Sequence, residues 1–227
     1  MVLNCPSRSA VRSSKSFLGR RLVMPPTMCL ASREEKQRVM PADSLVPAPM
    51  GVVTHAVTIN APPERVWPWL AQMGAGRAGW YSYDWIDNGG HPSANSIRPE
   101  YQQVAPGDVM PATPGMADAF CVTTVQPQHD LVLTVPEASG GNQVSWEFLL
   151  EPLDHNRTRL IVRGRISRRW PGSIQERSRP PGRLIFIERV YAVFARIPRP
   201  LMLVAAAFGH YIMQARMLRG IKRRAEA

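Results

Sequence analysis

Asp84 and Asp87 stand three residues apart in the stretch GWYSYDWIDN, among the rings of Trp80, Tyr81, Tyr83 and Trp85. A carboxyl set against aromatic walls loses the solvation of its charged form, and its pKa rises toward the range of a general acid or base. Tyrosine hydroxyls and indole N–H groups on the same walls could orient an otherwise apolar ligand. Asp84 and Tyr83 are therefore the candidate acid–base groups. Trp80, Tyr81, Tyr83, Asp84 and Trp85 are candidate ligand contacts. The competing reading of these residues is structural: the carboxylates cap a turn or pair with Arg77 and Arg98, and the rings are core. Trp67 and Trp69, on the preceding segment, fit the core better.

Other chemistry finds less support. The five histidines, His55, His91, His129, His155 and His210, are scattered with no H-x-x-x-H pair, so no metal site is expected. DWIDNGG lacks the alternating acidic ligands of a calcium loop. Ser145 lacks a G-x-S-x-G elbow, and neither His55 nor His129 comes with a Ser or Cys partner. The hexapeptide GAGRAG, residues 74–79, spells G-x-G-x-x-G. A dinucleotide turn needs a strand before the glycines and a helix after them. Here a helical segment precedes and the aromatic WYSYDW follows, so the glycines make a turn. No cofactor is expected.

Charge is distributed unevenly. Residues 1–44 hold eight Lys/Arg against three acids, residues 45–162 five against eleven, and residues 163–227 fifteen against three. The body of the chain is acidic while its ends are basic, which argues against a nucleic-acid partner. Cys5, Cys29 and Cys121 form an odd set without ligand spacing, consistent with a reducing, cytoplasmic compartment. No apolar run reaches the length of a membrane span. Residues 1–44 are read as a disordered basic leader preceding one domain, residues 45–227.

The elements that must position the candidate site follow from periodicity. Val52 to Asn60 alternates as a strand. APPERVWPWLAQM repeats apolar residues at helical spacing, with Pro62 and Pro63 at its first turn and a kink or restart expected at Pro68. A short strand is expected around 108–112, a hairpin through QPQHD joins strands at 119–125 and 131–135, and further strands cover 143–151 and 157–166. Trp146 and Phe148 share one strand face and are candidates for a cavity floor. In the 157–166 strand, arginines point outward while Leu160 and Val162 point inward. Two apolar helical stretches close the chain, residues 184–197 and 201–224. In the second, Val204, Phe208, Tyr211, Ala215 and Leu218 share a face.

This order of elements resembles the START-like, SRPBCC or helix-grip superfamily, and within it bacterial polyketide cyclase/dehydrase-like members. The resemblance rests on INAPPERVWPWLAQMG, GRAGWYSYDWIDN, PGDVMPATPG and the ending HYIMQARMLRGIKRRAEA, and it covers roughly residues 41–227. Gln214 stands where such proteins more often carry an acidic residue. The resemblance implies an α+β fold in which a curved antiparallel sheet grips the C-terminal helix around a cavity. Phe208 and Tyr211 would complete the cavity lining. It implies binding of a hydrophobic small molecule such as a lipid, a polyketide or an aromatic. A cyclase or dehydratase using the same cavity, with Asp84 or a tyrosine as acid–base group, is the alternative. A third reading places the protein at a membrane surface through its basic C-terminal helices, residues 184–224.

Overall fold

The computed structural model describes residues 29–114, 119–137, 140–168 and 199–227. Helix α1 (Arg33–Gln37) is a single turn set by a capping box: the Ser32 hydroxyl accepts from the Glu35 N–H, and the Glu35 carboxylate accepts from the Ser32 N–H. A 3-10 turn at Pro41–Leu45 follows it. The alternating, β-branched segment then forms β1 (Pro49–Ile59), and Pro62 caps α2 (Pro63–Ala71), which runs through Pro68 without ending there.

Past α2, the GAGRAG hexapeptide closes on itself. The Gly74 and Gly79 backbones exchange hydrogen bonds, and Gly74, Gly76 and Gly79 all adopt positive φ. At Gly79 a Cβ would also run into the Ser93 side chain, so only glycine fits there. The hexapeptide is a turn, as its flanks predict. It leads through a one-turn helix, α3 (Asp84–Asp87), to β2 (Val109–Pro111). The rest is an antiparallel meander of β3 (Ala119–Gln126), β4 (Asp130–Pro136), β5 (Asn142–Asp154) and β6 (Arg157–Ser167), close to the strand limits read from alternation. The final helix, α4 (Arg199–Ala225), closes the chain.

The six strands form one curved antiparallel sheet in the order β1-β6-β5-β4-β3-β2. Its two faces follow the period of two. Val57, Ile59, Leu131, Leu133, Phe148, Leu150, Leu160 and Val162 point to the main core, where they meet α2 and the C-terminal half of α4. Ala215, Leu218 and Ile221 of α4 are buried there, and Lys222 Nζ donates to the Thr58 carbonyl at 2.7 Å. The fold is thus α+β, with the sheet packed around a long C-terminal helix.

The opposite face corrects the expected domain boundary. Residues 29–44, assigned by composition to a leader outside the fold, pack on the domain. Cys29 is buried in the main core, its thiol donating to the Ala215 carbonyl of α4. The residues after it cross the outer face of the sheet, while residues 1–28 lie outside the described residues. Ala31 and Met40 are buried against Ala56, Leu149 and Ile161. The arginines of β6 do point away from the core, but they face this segment. Arg159 forks onto both carboxylate oxygens of Glu35 at 2.7 and 2.9 Å. Arg163, only 3% exposed, donates to Asp43 at 3.0 Å and to the Arg38 and Glu35 carbonyls at 2.8 and 2.6 Å. A planar fork with five donors satisfies several carbonyls at once, which suits arginine to this seam.

The expected helix at 184–197 falls outside the described residues. The face predicted for α4 is split: Ala215 and Leu218 are buried, whereas Val204, Phe208 and Tyr211 are exposed. Among the described residues no helix is long and apolar enough to cross a membrane.

Candidate functional site

A cleft of about 150 Å³ opens between the inner face of the sheet and α4. Its floor and one wall are aromatic. Trp146 on β5 and Phe120 on β3 project inward by the alternation of their strands, and Trp80 arrives from the loop after the glycine turn. The three ring centroids lie 5.1–5.6 Å apart, with Trp80 edge-on to Phe120. The turn sets the position of Trp80. The Ala75 N–H donates to the Pro111 carbonyl at 2.9 Å, and Trp80 Nε1 donates to the carbonyls of Pro111 and Ala112 at 3.2 and 3.1 Å.

The facing wall is a stripe of α4: His210, Met213, Gln214 and Met217, spaced i, i+3, i+4, i+7. Gln214 is buried, accepts from Trp146 Nε1 at 3.1 Å and points its amide nitrogen at the Met217 sulfur. Ser82 Oγ donates to the Met213 carbonyl at 3.2 Å, and Arg216 Nε donates back to the Ser82 carbonyl at 2.8 Å. These two bonds tie the aromatic loop to the helix.

Asp87 supplies the acidic group of the cleft. It is 5% exposed, it lines the cleft, and its Oδ1 has no hydrogen-bond partner. Burial, and then the charge of Asp84, push its pKa up to about 6, against the opposing hydrogen bonds of the Ser82 side chain and the local backbone. Asp84 has a different task. Its carboxylate accepts from both the N–H and the hydroxyl of Ser93, which pins the return of the loop. Of the two carboxylates, Asp87 lines the cleft, while Asp84 is engaged by Ser93.

The other candidates divide. Trp80 and Trp146 line the cleft. Phe148 is fully buried behind Trp146, 4.8 Å between ring centroids, and belongs to the core. Tyr81 is core as well. Its hydroxyl donates to the Trp69 carbonyl and accepts from Gln72 Nε2, the Arg224 guanidinium lies over its ring, and burial raises its pKa. Tyr83 is half-buried under the Arg216 guanidinium at 4.5 Å and does not reach the cleft. Trp85 is 68% exposed. Residues two apart on a helical turn point to opposite sides, so seating Asp87 in the cleft turns Trp85 outward. Phe208 is 66% exposed and lies outside the cleft; Tyr211 is exposed, with its ring 5.1 Å from that of His55.

Phe120, Met213, Gln214 and Met217 are cleft residues that sequence reading missed. A signal for the helix trio existed in the stripe that starts at His210, one step round from the face chosen. Phe120 lies two residues before the buried Val122, on the same side of a recognised strand.

A curved antiparallel sheet gripping a C-terminal helix, with a ring-lined cleft between them, defines an α+β protein of helix-grip architecture. No protein-family model matches the chain, and no curated protein does. Among solved structures it is similar to the Zhui aromatase/cyclase from Streptomyces sp. R1128, at 15% identity over 78% of this chain and 93% of that one, TM-score 0.41. It is also similar to protein MLL2253 from Mesorhizobium loti, at 16% identity over 77% and 96%, TM-score 0.37. A third similar structure is CalU16 from Micromonospora echinospora, at 14% identity over 83% and 89%, TM-score 0.32.

Proposed function

We propose that this chain binds a small hydrophobic molecule in the cleft between sheet and α4. The observation that carries the reading is the composition of the walls: three aromatic rings on one side face two methionines on the other. Affinity would come from burying apolar ligand surface, at roughly 25 cal/mol per Å². The sequence resemblance to SRPBCC polyketide cyclase/dehydrase-like proteins supports the same role. At about 150 Å³ the cleft is smaller than ordinary drug-sized pockets and matches an apolar cavity able to hold one benzene-sized ring. A single aromatic ring suits it better than a lipid chain or a folded polyketide.

The test is native mass spectrometry of protein purified from its own host, paired with thermal denaturation in the presence of toluene. The expected result is a stoichiometric aromatic passenger, or a saturable rise in Tm that Ala112→Trp, which fills the cleft, removes. An empty protein indifferent to toluene would overturn the reading.

A second reading, an enzyme of the cyclase or dehydratase type, is favoured by the position of Asp87. A carboxyl with a pKa near 6 beside a bound ring could exchange protons near neutral pH. Loss of turnover in Asp87→Asn with binding retained would support it.

A further inference from the structure

We propose that the cleft selects a single-ring aromatic molecule bearing an O–H or N–H donor, and that the Asp87 carboxylate is the acceptor that orients it. The inference rests on the binding role proposed above and names the ligand class. It follows from where the polar groups of Trp80, Trp146, Gln214, Ser82 and Asp87 are engaged.

Most are satisfied within the protein. Trp80 Nε1 is shared between the carbonyls of Pro111 and Ala112. Trp146 Nε1 is taken by Gln214, whose own amide nitrogen faces the Met217 sulfur. The Ser82 hydroxyl reaches the Met213 carbonyl and also stands within hydrogen-bonding range of the Asp87 carboxyl. Asp87 Oδ1 differs from all of these: it is buried, lies on a residue that lines the cleft, and has no hydrogen-bond partner. A buried carboxylate oxygen without a donor carries a desolvation cost that a ligand donor would remove.

Charge decides what kind of ligand can do so. Among the described residues no lysine or arginine lines the cleft. Arg216 of α4 is held by the Ser82 carbonyl and the Tyr83 ring. With Asp84 adding a second negative charge beside Asp87, an anionic ligand is repelled and a neutral or cationic donor is favoured. The rings of Trp80, Phe120 and Trp146 add the preference for a planar apolar body. The cleft as described has room for about one ring.

Matched probes of nearly equal size test this on the full chain: phenol and aniline carry the donor, toluene lacks it, and benzoate carries a negative charge. Binding is followed by tryptophan fluorescence, since Trp80 and Trp146 line the cleft. The expected result is that phenol and aniline bind about tenfold or more tightly than toluene, and that benzoate does not bind. In Asp87→Leu the preference for phenol over toluene should vanish while toluene still binds, which also reports that the variant is folded. Equal binding of phenol and toluene to the natural protein, or a preference that survives in Asp87→Leu, overturns this inference and leaves the hydrophobic-binding role standing. Failure of every probe, toluene included, overturns both.

Discussion

The indole N–H of Trp146 on β5 donates to the side-chain oxygen of Gln214 on α4 at 3.1 Å, and this bond joins sheet to helix beside the cleft. Both residues are buried. Trp146→Phe keeps a ring but strands the Gln214 oxygen, at an expected cost of about 1–3 kcal/mol. Adding Gln214→Leu removes the stranded group and should recover part of that loss. Urea denaturation of both single variants and the double variant reads the coupling.

Helix α4 packs closely against the aromatic loop at Gly220. A Cβ there would stand 2.5 Å from the Tyr81 carbonyl oxygen and 2.8 Å from Tyr81 Cβ. Because the clash is with backbone, no rotamer change relieves it, and Gly220→Ala should cost about 1–3 kcal/mol. Gly209 of the same helix meets nothing within 4 Å. Gly209→Ala should instead stabilise the helix by a few tenths to about 1 kcal/mol. Opposite shifts in Tm are the expected readout.

On the outer face of the sheet, Glu147 is buried, with its Oε1 unpartnered. Burial, and then the charges of Asp130 and Asp43, push its pKa up to about 7, against the Ala42 N–H and the Arg163 charge. The folded state then holds a proton that the unfolded chain releases near 4.5. Stability from this group is complete below the unfolded value and is lost as pH rises through the folded one. Glu147→Gln should therefore gain stability over the natural protein as pH climbs from 4.5 to 7, with a constant difference above. Denaturant titrations at several pH values on either side of that window measure it.

Arg163 is the centre of the seam that holds residues 29–44, through Asp43 and the carbonyls of Glu35 and Arg38. Arg163→Lys keeps the charge and loses the fork. Amide exchange should rise across residues 33–45, while tryptophan emission from the cleft on the other face stays unchanged.

Strand alternation alone determined the two faces of β5 and β6 and the hairpin between β3 and β4. Inward and outward residues differ locally in polarity, and that difference is written in the chain itself. The order of segments around GAGRAG likewise determined that it is a turn, because the motif's chemistry depends on what flanks it. Only tertiary structure decided that Asp87 faces the cleft and Asp84 does not. Both lie on one helical turn, and its rotation is set by Ser93, nine residues past Asp84, and by contacts that Ser82 makes with α4. The same holds for the stripe of α4 that meets the rings: the helix carries apolar residues on adjoining faces, and the sheet selects between them. Residues 29–44 show the limit most plainly. Their elements are too short to carry a period, and their place depends on arginines that lie more than a hundred positions further along the chain.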